Sequence, residues 1–338
     1  MPPSGSMPPP TTAPSPRLWR GPIGWVRRRA EPLLQNAVSL ADQGTVSATR
    51  LLLSVLVGRA LGADSLGHYA LALTAVYLAE GVVETLATLP YTVLRRTSEA
   101  PRAYAGSVLT LTTGIGILIG IASGVGALVA SGPLQPVLVA LALALPARAL
   151  AEGARRIAFA HERVGVALAL DVGLAAVLGG GALVAAALGR LTVPLAVALY
   201  GLGSAIPFAV WLATEGRRLV RFDRSRLAPD ARASWRFGRW VLGTRLAVTL
   251  RVHGIPWALA AVAGASEVGL LDASGKVIGL TVPVLISVAN VLTPRVARAR
   301  DEGGVPAVRR VVLRTTVALV VITAGLTAAL TLGAEAIL

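Results

Sequence analysis

The strongest constraint on this chain is a helical hairpin written twice. Leu61-Gly62-x-x-x-x-Gly67-x-Tyr69 lies between two long apolar runs, and Ala263-Gly264-x-x-x-x-Gly269 recurs 202 positions later between two more. In each copy the second run closes on a proline followed by arginines: Pro90 with Arg95 and Arg96, then Pro294 with Arg295 and Arg298. Each copy reads as two membrane helices joined by a short turn, because a helix satisfies its own backbone hydrogen bonds in lipid. A duplicated unit of this kind predicts a bundle of two related lobes, an architecture of membrane transporters.

Composition identifies the solvent. Over 338 residues, 54% are hydrophobic, 14% are charged and the mean hydropathy is +0.69, which leaves too little polar surface for a water-soluble domain. Crossing about 30 Å of hydrocarbon takes about 20 apolar residues in a helix. Nine segments reach that length: 36–60, 66–94, 104–130, 133–154, 166–188, 193–213, 238–263, 268–291 and 308–333. The expected fold is therefore all-α, a polytopic membrane bundle of about nine transmembrane helices in two pseudo-symmetric lobes. Residues 1–35 form a Pro/Ser/Thr-rich tail and a basic interfacial segment, 36–214 a first six-helix lobe, 215–237 a cytoplasmic linker, and 238–338 a partial second lobe of three helices. By the first lobe's length, the second reads as three helices short.

The formal charge of +15 would suggest nucleic acid in a soluble protein, but its distribution points to topology. Arginines crowd the N-terminal arm and the connections after the second, fourth, sixth and eighth spans, including Arg95, Arg96, Arg155, Arg156, Arg217, Arg218, Arg221 and Arg224. The alternate loops hold only Arg59 and Arg190. This asymmetry predicts a multi-pass protein of the cell (inner) membrane with a cytoplasmic N-terminus and no nucleic-acid partner. The chain has no cysteine and three scattered histidines, so no metal cluster, cofactor site or cysteine nucleophile is expected. The external connections are a few residues long, too short for an enzyme's aqueous pocket, and the chain reads as a non-enzyme.

Ionisable groups inside spans mark cavities or partners, since each costs about 2.5–3.5 kcal/mol at mid-bilayer. Arg50 precedes the first turn and Arg251 precedes the second by nearly the same number of residues, while Lys276 follows the second. These three are the candidate substrate-binding residues, a cationic set suited to a diphosphate. The competing explanation is structural pairing: Arg50 with Glu80 or Glu84, and Asp272 with Lys276 four residues on. Asp42, Glu80, Glu84 and Asp272 are candidates for ion coupling or for that pairing. Arg148 and Glu152 read as a structural pair on one helix face. Arg245 and His253 read as a snorkelling side chain and a packed one.

The run Asp42-Gln43-Gly44 followed by Gly58-Arg59-Ala60-Leu61-Gly62-Ala63-Asp64-Ser65-Leu66-Gly67-His68-Tyr69-Ala70 resembles the opening hairpin of polysaccharide (Wzx-type) oligosaccharide flippases. These belong to the multidrug/oligosaccharidyl-lipid/polysaccharide exporter superfamily. The second copy, Gly264 to Gly269 with Pro294-Arg295-Val296-Ala297-Arg298, resembles the start of that family's second lobe. The resemblance implies alternating-access flipping of a polyprenyl-pyrophosphate-linked oligosaccharide for surface polysaccharide synthesis, with the polysaccharide polymerase machinery as a partner. The alternatives are a multidrug/toxin extrusion-type antiporter, or a truncated non-transporting relative.

Overall fold

A computed structural model describes residues 22–279 and 304–321, with a few positions beyond. The tail over residues 1–16 and Pro294, Arg295 and Arg298 of the second hairpin lie outside the described residues. The described chain is helical between short turns. Helix α1 (Pro22–Val83) is two helices joined at Gly62 and passes through a π turn (Glu84–Thr88) into α2 (Leu89–Leu94). There follow α3 (Pro101–Val129), α4 (Leu134–Ala160), α5 (Val164–Ala187) and α6 (Val193–Trp211). A second π turn (Leu212–Gly216) and α7 (Arg217–Leu219) lead to α8 (Arg224–Ala263), α9 (Ala265–Gly279) and α10 over 304–321. Among the described residues six helices are long and apolar enough to cross a membrane, the first of them the double helix broken at Gly62.

Residues 224–237, within the connection expected to link the lobes, are helix rather than loop and run straight into the following span. Pro229 lies inside α8 and takes one backbone donor from its second turn without ending the helix. Asp223 caps that helix, accepting the Ser225 backbone N–H at 3.0 Å and the Ser225 hydroxyl at 2.6 Å; the hydroxyl contact above all lowers its carboxyl below the usual range.

Helices α1 to α6 form one bundle with two adjoining cores. Leu53, Val57, Tyr69, Leu141, Leu145, Leu178 and Val197 meet in the first; Tyr91, Tyr104, Val108, Leu109, Ile157 and Trp211 meet in the second. The outward faces carry Leu118, Leu128, Val129 and Leu143, each at least two-thirds exposed, as a lipid-facing surface requires. Lipid tails are as apolar as leucine, so burial of such residues does little to hold helices together; close backbone packing and polar bonds carry that load. Gly116 and Gly120 show the packing: a Cβ at either would come within 3 Å of α4, at Pro146 or the Ala142 carbonyl.

The two hairpin turns share one backbone solution. Gly62 has φ 83° and ψ 175°, and Gly264 has φ 94° and ψ 173°, conformations that residues with a Cβ rarely adopt. The second glycine of each motif has a different task. A Cβ on Gly67 would fall 1.7 Å from the Ala265 carbonyl oxygen, and one on Gly269 would fall 2.1 Å from that of Ala63. Since Ala63 and Ala265, like Gly67 and Gly269, are 202 residues apart, the tips interlock reciprocally. The seam continues through Ala70, Leu71 and Val268, with Leu259 and Ala260 packed against them.

The arginine-bearing connections gather at the opposite end. Arg102 donates to the Arg217 carbonyl at 3.2 Å and accepts from the Arg221 backbone N–H at 2.9 Å, while Arg163 pairs with Glu215. The bundle therefore has a tip end and an arginine-rich end.

Candidate functional site: a buried ion network beside Arg50

Helix α4 builds the centre of the site. Arg148, Glu152, Arg155 and Arg156 follow one another at helical spacing i, i+4, i+7 and i+8, so all four project from one face into the bundle. Sequence hydropathy ends the fourth span at Ala154 and assigns Arg155 and Arg156 to a loop; the helix instead continues to Ala160, and both guanidinium groups turn inward. The reason is the set of acids waiting on neighbouring helices.

Arg148 donates through Nε to Glu80 at 2.6 Å and through Nη2 to Glu152 at 3.1 Å. Arg156 donates through Nε to Glu152 at 2.7 Å and reaches Glu84 at 3.3 Å. Arg155 bridges two carboxylates of different helices, Asp171 on α5 at 2.7 Å and Asp42 on α1 at 2.8 Å. Arg245 on α8 completes the set, donating to Glu84 at 2.6 Å. Asp42, Arg148, Glu152 and Asp171 are buried. Burying any of these charges alone would cost several kcal/mol, and the network holds each against at least one opposite charge. One acceptor stands apart: Asp42 Oδ1 is buried with no hydrogen-bond partner among the described residues.

A cavity of about 190 Å³ opens beside this network, walled by Arg50, Tyr69, Glu80, Arg148, Asp171 and Tyr200 among others. Glu80, expected as a partner for Arg50, is held by Arg148 instead. Arg50 lies over the Tyr77 ring at 4.9 Å and has no ion pair or hydrogen bond among the described residues. A guanidinium stacked on a ring face is stabilised by the ring quadrupole while its N–H fork stays free for another acceptor.

The other sequence candidates fall into place around it. Ser54, one turn above Arg50, donates to Asp272 at 3.1 Å, and Lys276 donates to the same carboxylate at 2.9 Å. Asp272 and Lys276 therefore form the expected i, i+4 pair, and Asp272 meets the first hairpin at Ser54. Arg251 does not line the cavity beside Arg50: it is exposed, without an ion pair among the described residues. Glu84 pairs with Arg156 and Arg245, so Arg245 joins the two hairpins rather than snorkelling. His253 packs against the Tyr77 ring with centroids 5.1 Å apart. Sequence reasoning missed the central roles of Arg155, Arg156, Tyr77 and Tyr200, though the i, i+4, i+7, i+8 spacing on α4 was a visible signal. Among the described residues no group of His, Asp and Glu could hold a metal ion.

No protein-family model matches the chain, and no curated protein matches its sequence. Among solved structures, the chain is similar to the MATE multidrug transporter DinF-BH, determined with a compound bound, with a TM-score of 0.57 and 14% identity over 88% of this chain and 72% of that one. At that identity the likeness concerns the fold. The chain is a polytopic helical membrane protein with the fold of a transporter.

Proposed function

We propose that the chain is an alternating-access exporter of the inner membrane, N-terminus in the cytoplasm, whose cargo is a polyprenyl-pyrophosphate-linked oligosaccharide. One observation carries the choice of cargo: Arg50 stands in a polar cavity with an aromatic ring beneath it and, among the described residues, no ion pair or hydrogen bond to its donors. A diphosphate offers the paired anionic oxygens that a guanidinium fork matches. Lys276 neutralises Asp272 and becomes a second phosphate ligand only when that pair opens. Arg251 lies outside this arrangement, so Arg50 bears the reading alone.

The reciprocal tip contact supplies the moving part. With Gly67 against Ala265 and Gly269 against Ala63, the hairpins meet at their tips, and parting them there would open a way between them. Asp42 and Asp171, which share Arg155, are the groups through which an ion gradient would act, because neutralising one would free the arginine for the other.

A second reading, extrusion of a lipophilic cation, is favoured by the three carboxylates that wall the cavity, Glu80, Glu152 and Asp171, and by the likeness in fold to a multidrug transporter. Proteoliposomes separate the two. The purified chain is expected to move a short polyprenyl-pyrophosphate-linked glycan to the lectin-accessible leaflet, and Arg50→Ala to lower this by about tenfold or more while still inserting. Efflux of ethidium, a lipophilic cationic dye, without glycan movement would overturn the cargo assignment.

A further inference from the structure

The arginine-rich end of α8 presents a surface outside the cavity beside Arg50. Arg232, Trp235, Arg236, Arg239 and Trp240 follow one another at i, i+3, i+4, i+7 and i+8, the spacing of a single helix face. All five are solvent-accessible on that face, Trp235 by 51% and Trp240 by 76%. The opposite face of the same helix is the docked one. Asp230 accepts from the Ser107 hydroxyl at 2.7 Å, Ser234 hydrogen-bonds the Tyr104 hydroxyl at 3.1 Å, and a Cβ on Gly238 would fall 2.4 Å from the Thr85 carbonyl oxygen. The rotation of α8 is therefore set by Asp230, Ser234 and Gly238, and the arginine-tryptophan face points away from the bundle by construction.

Depth places that face. With the Gly264 turn in one headgroup layer, about 20 residues of α8 cross the hydrocarbon, and the stretch from Arg232 to Trp240 falls in the opposite headgroup layer. Charge then selects the occupant. Arg156, Arg163, Arg226 and Arg245, towards the same end, each have an acidic partner. Arg232, Arg236 and Arg239 have none among the described residues; Arg239 lies over the Trp240 ring at 5.1 Å. Three unneutralised guanidinium groups flanked by two indoles match an anionic phospholipid, whose phosphate takes the charge while the indoles sit among glycerol and upper acyl carbons.

We propose that the Arg232–Trp240 face of α8 is a docking site for an anionic phospholipid headgroup. The site is independent of the cargo. It tethers the helix that carries Arg245 to the membrane surface, on the side away from the bundle.

The test uses the full chain in nanodiscs of mixed phosphatidylglycerol and phosphatidylcholine, released into native mass spectrometry to count the lipids retained. The wild type should retain phosphatidylglycerol preferentially, and R232Q/R236Q/R239Q should lose that preference by about tenfold or more. R232K/R236K/R239K should keep most of it, because the attraction is mainly one of charge. Should the triple glutamine variant fail to insert, the three single variants are compared, each expected to lose a part. R217Q/R218Q, two exposed arginines at the same end, should retain lipid as the wild type does. Equal retention of both lipids, undiminished retention in the glutamine variants, or an equal loss in R217Q/R218Q would overturn the proposal. So would a change confined to the oligomeric state, which would make the face a contact between copies.

Discussion

The two hairpins share one turn geometry and, among the described residues, differ in how their charges are held. In the first, Asp42, Glu80 and Glu84 are tied into arginines of α4, and Arg50 stands over a cavity. In the second, Arg251 at the equivalent position is exposed, while Asp272 and Lys276 neutralise each other on one helix. Yet Gly62 and Gly264 share the same left-handed, extended turn geometry, and Gly67 and Gly269 make the same contact on the other copy's turn. The backbone requirement of a reciprocal seam is symmetric, because a change on one side is felt equally by the other. Charge has no such requirement, and among the described residues the network is concentrated in the first copy and α4.

That contrast can be broken most forcefully at Arg155. Arg155→Ala strands Asp42 and Asp171 without their shared cation and is expected to cost about 3–5 kcal/mol in unfolding from detergent, whereas Arg251→Ala should cost no more than about 0.5 kcal/mol. Similar small costs for both would mean the first copy's network does not hold the bundle. Next in size is transport itself: Arg50→Ala should lower glycan flipping by about tenfold or more, the value of a charge-assisted phosphate contact, with Arg251→Ala within about twofold of the wild type. Equal losses would restore a symmetric cationic site.

The seam makes the opposite kind of prediction, one of equality. Gly67→Val and Gly269→Val should each destabilise the tip-closed arrangement by about 1–3 kcal/mol and widen the distance between spin labels at Asp64 and Glu267 by similar amounts. Gly44→Ala, with open space around it, is the neutral comparison. An effect at only one of the two glycines would contradict reciprocity. The smallest change sharpens the polar seam below the tips: Ser54→Ala removes one hydrogen bond to Asp272 and should cost about 0.5–1.5 kcal/mol, leaving the Lys276 pair to satisfy the carboxylate.

Much of this molecule was readable from local pattern. Apolar runs of sufficient length dictate helices in lipid, and both the 202-residue offset and the turn glycines stand in the chain itself. The Arg148–Glu152 and Asp272–Lys276 pairs follow from helical spacing alone, since four residues bring side chains together on any α-helix. Span boundaries were less legible: hydropathy stops at the first charges, while α4 runs on to Ala160 because acids on α1 and α5 give Arg155 its partners.

What tertiary structure alone decided is which charges meet. Whether Glu80 faces Arg50 or Arg148, and whether Arg251 lines a crevice or faces outward, depends on the rotation and vertical offset of helices about their axes. Those are set by close contacts such as those of Gly116 and Gly120 of α3 against α4, or of Gly238 against the Thr85 carbonyl. The amino-acid order specifies each helix and its faces through short-range geometry; the pairing of faces is a property of the assembled bundle, because it depends on contacts between residues far apart in the chain.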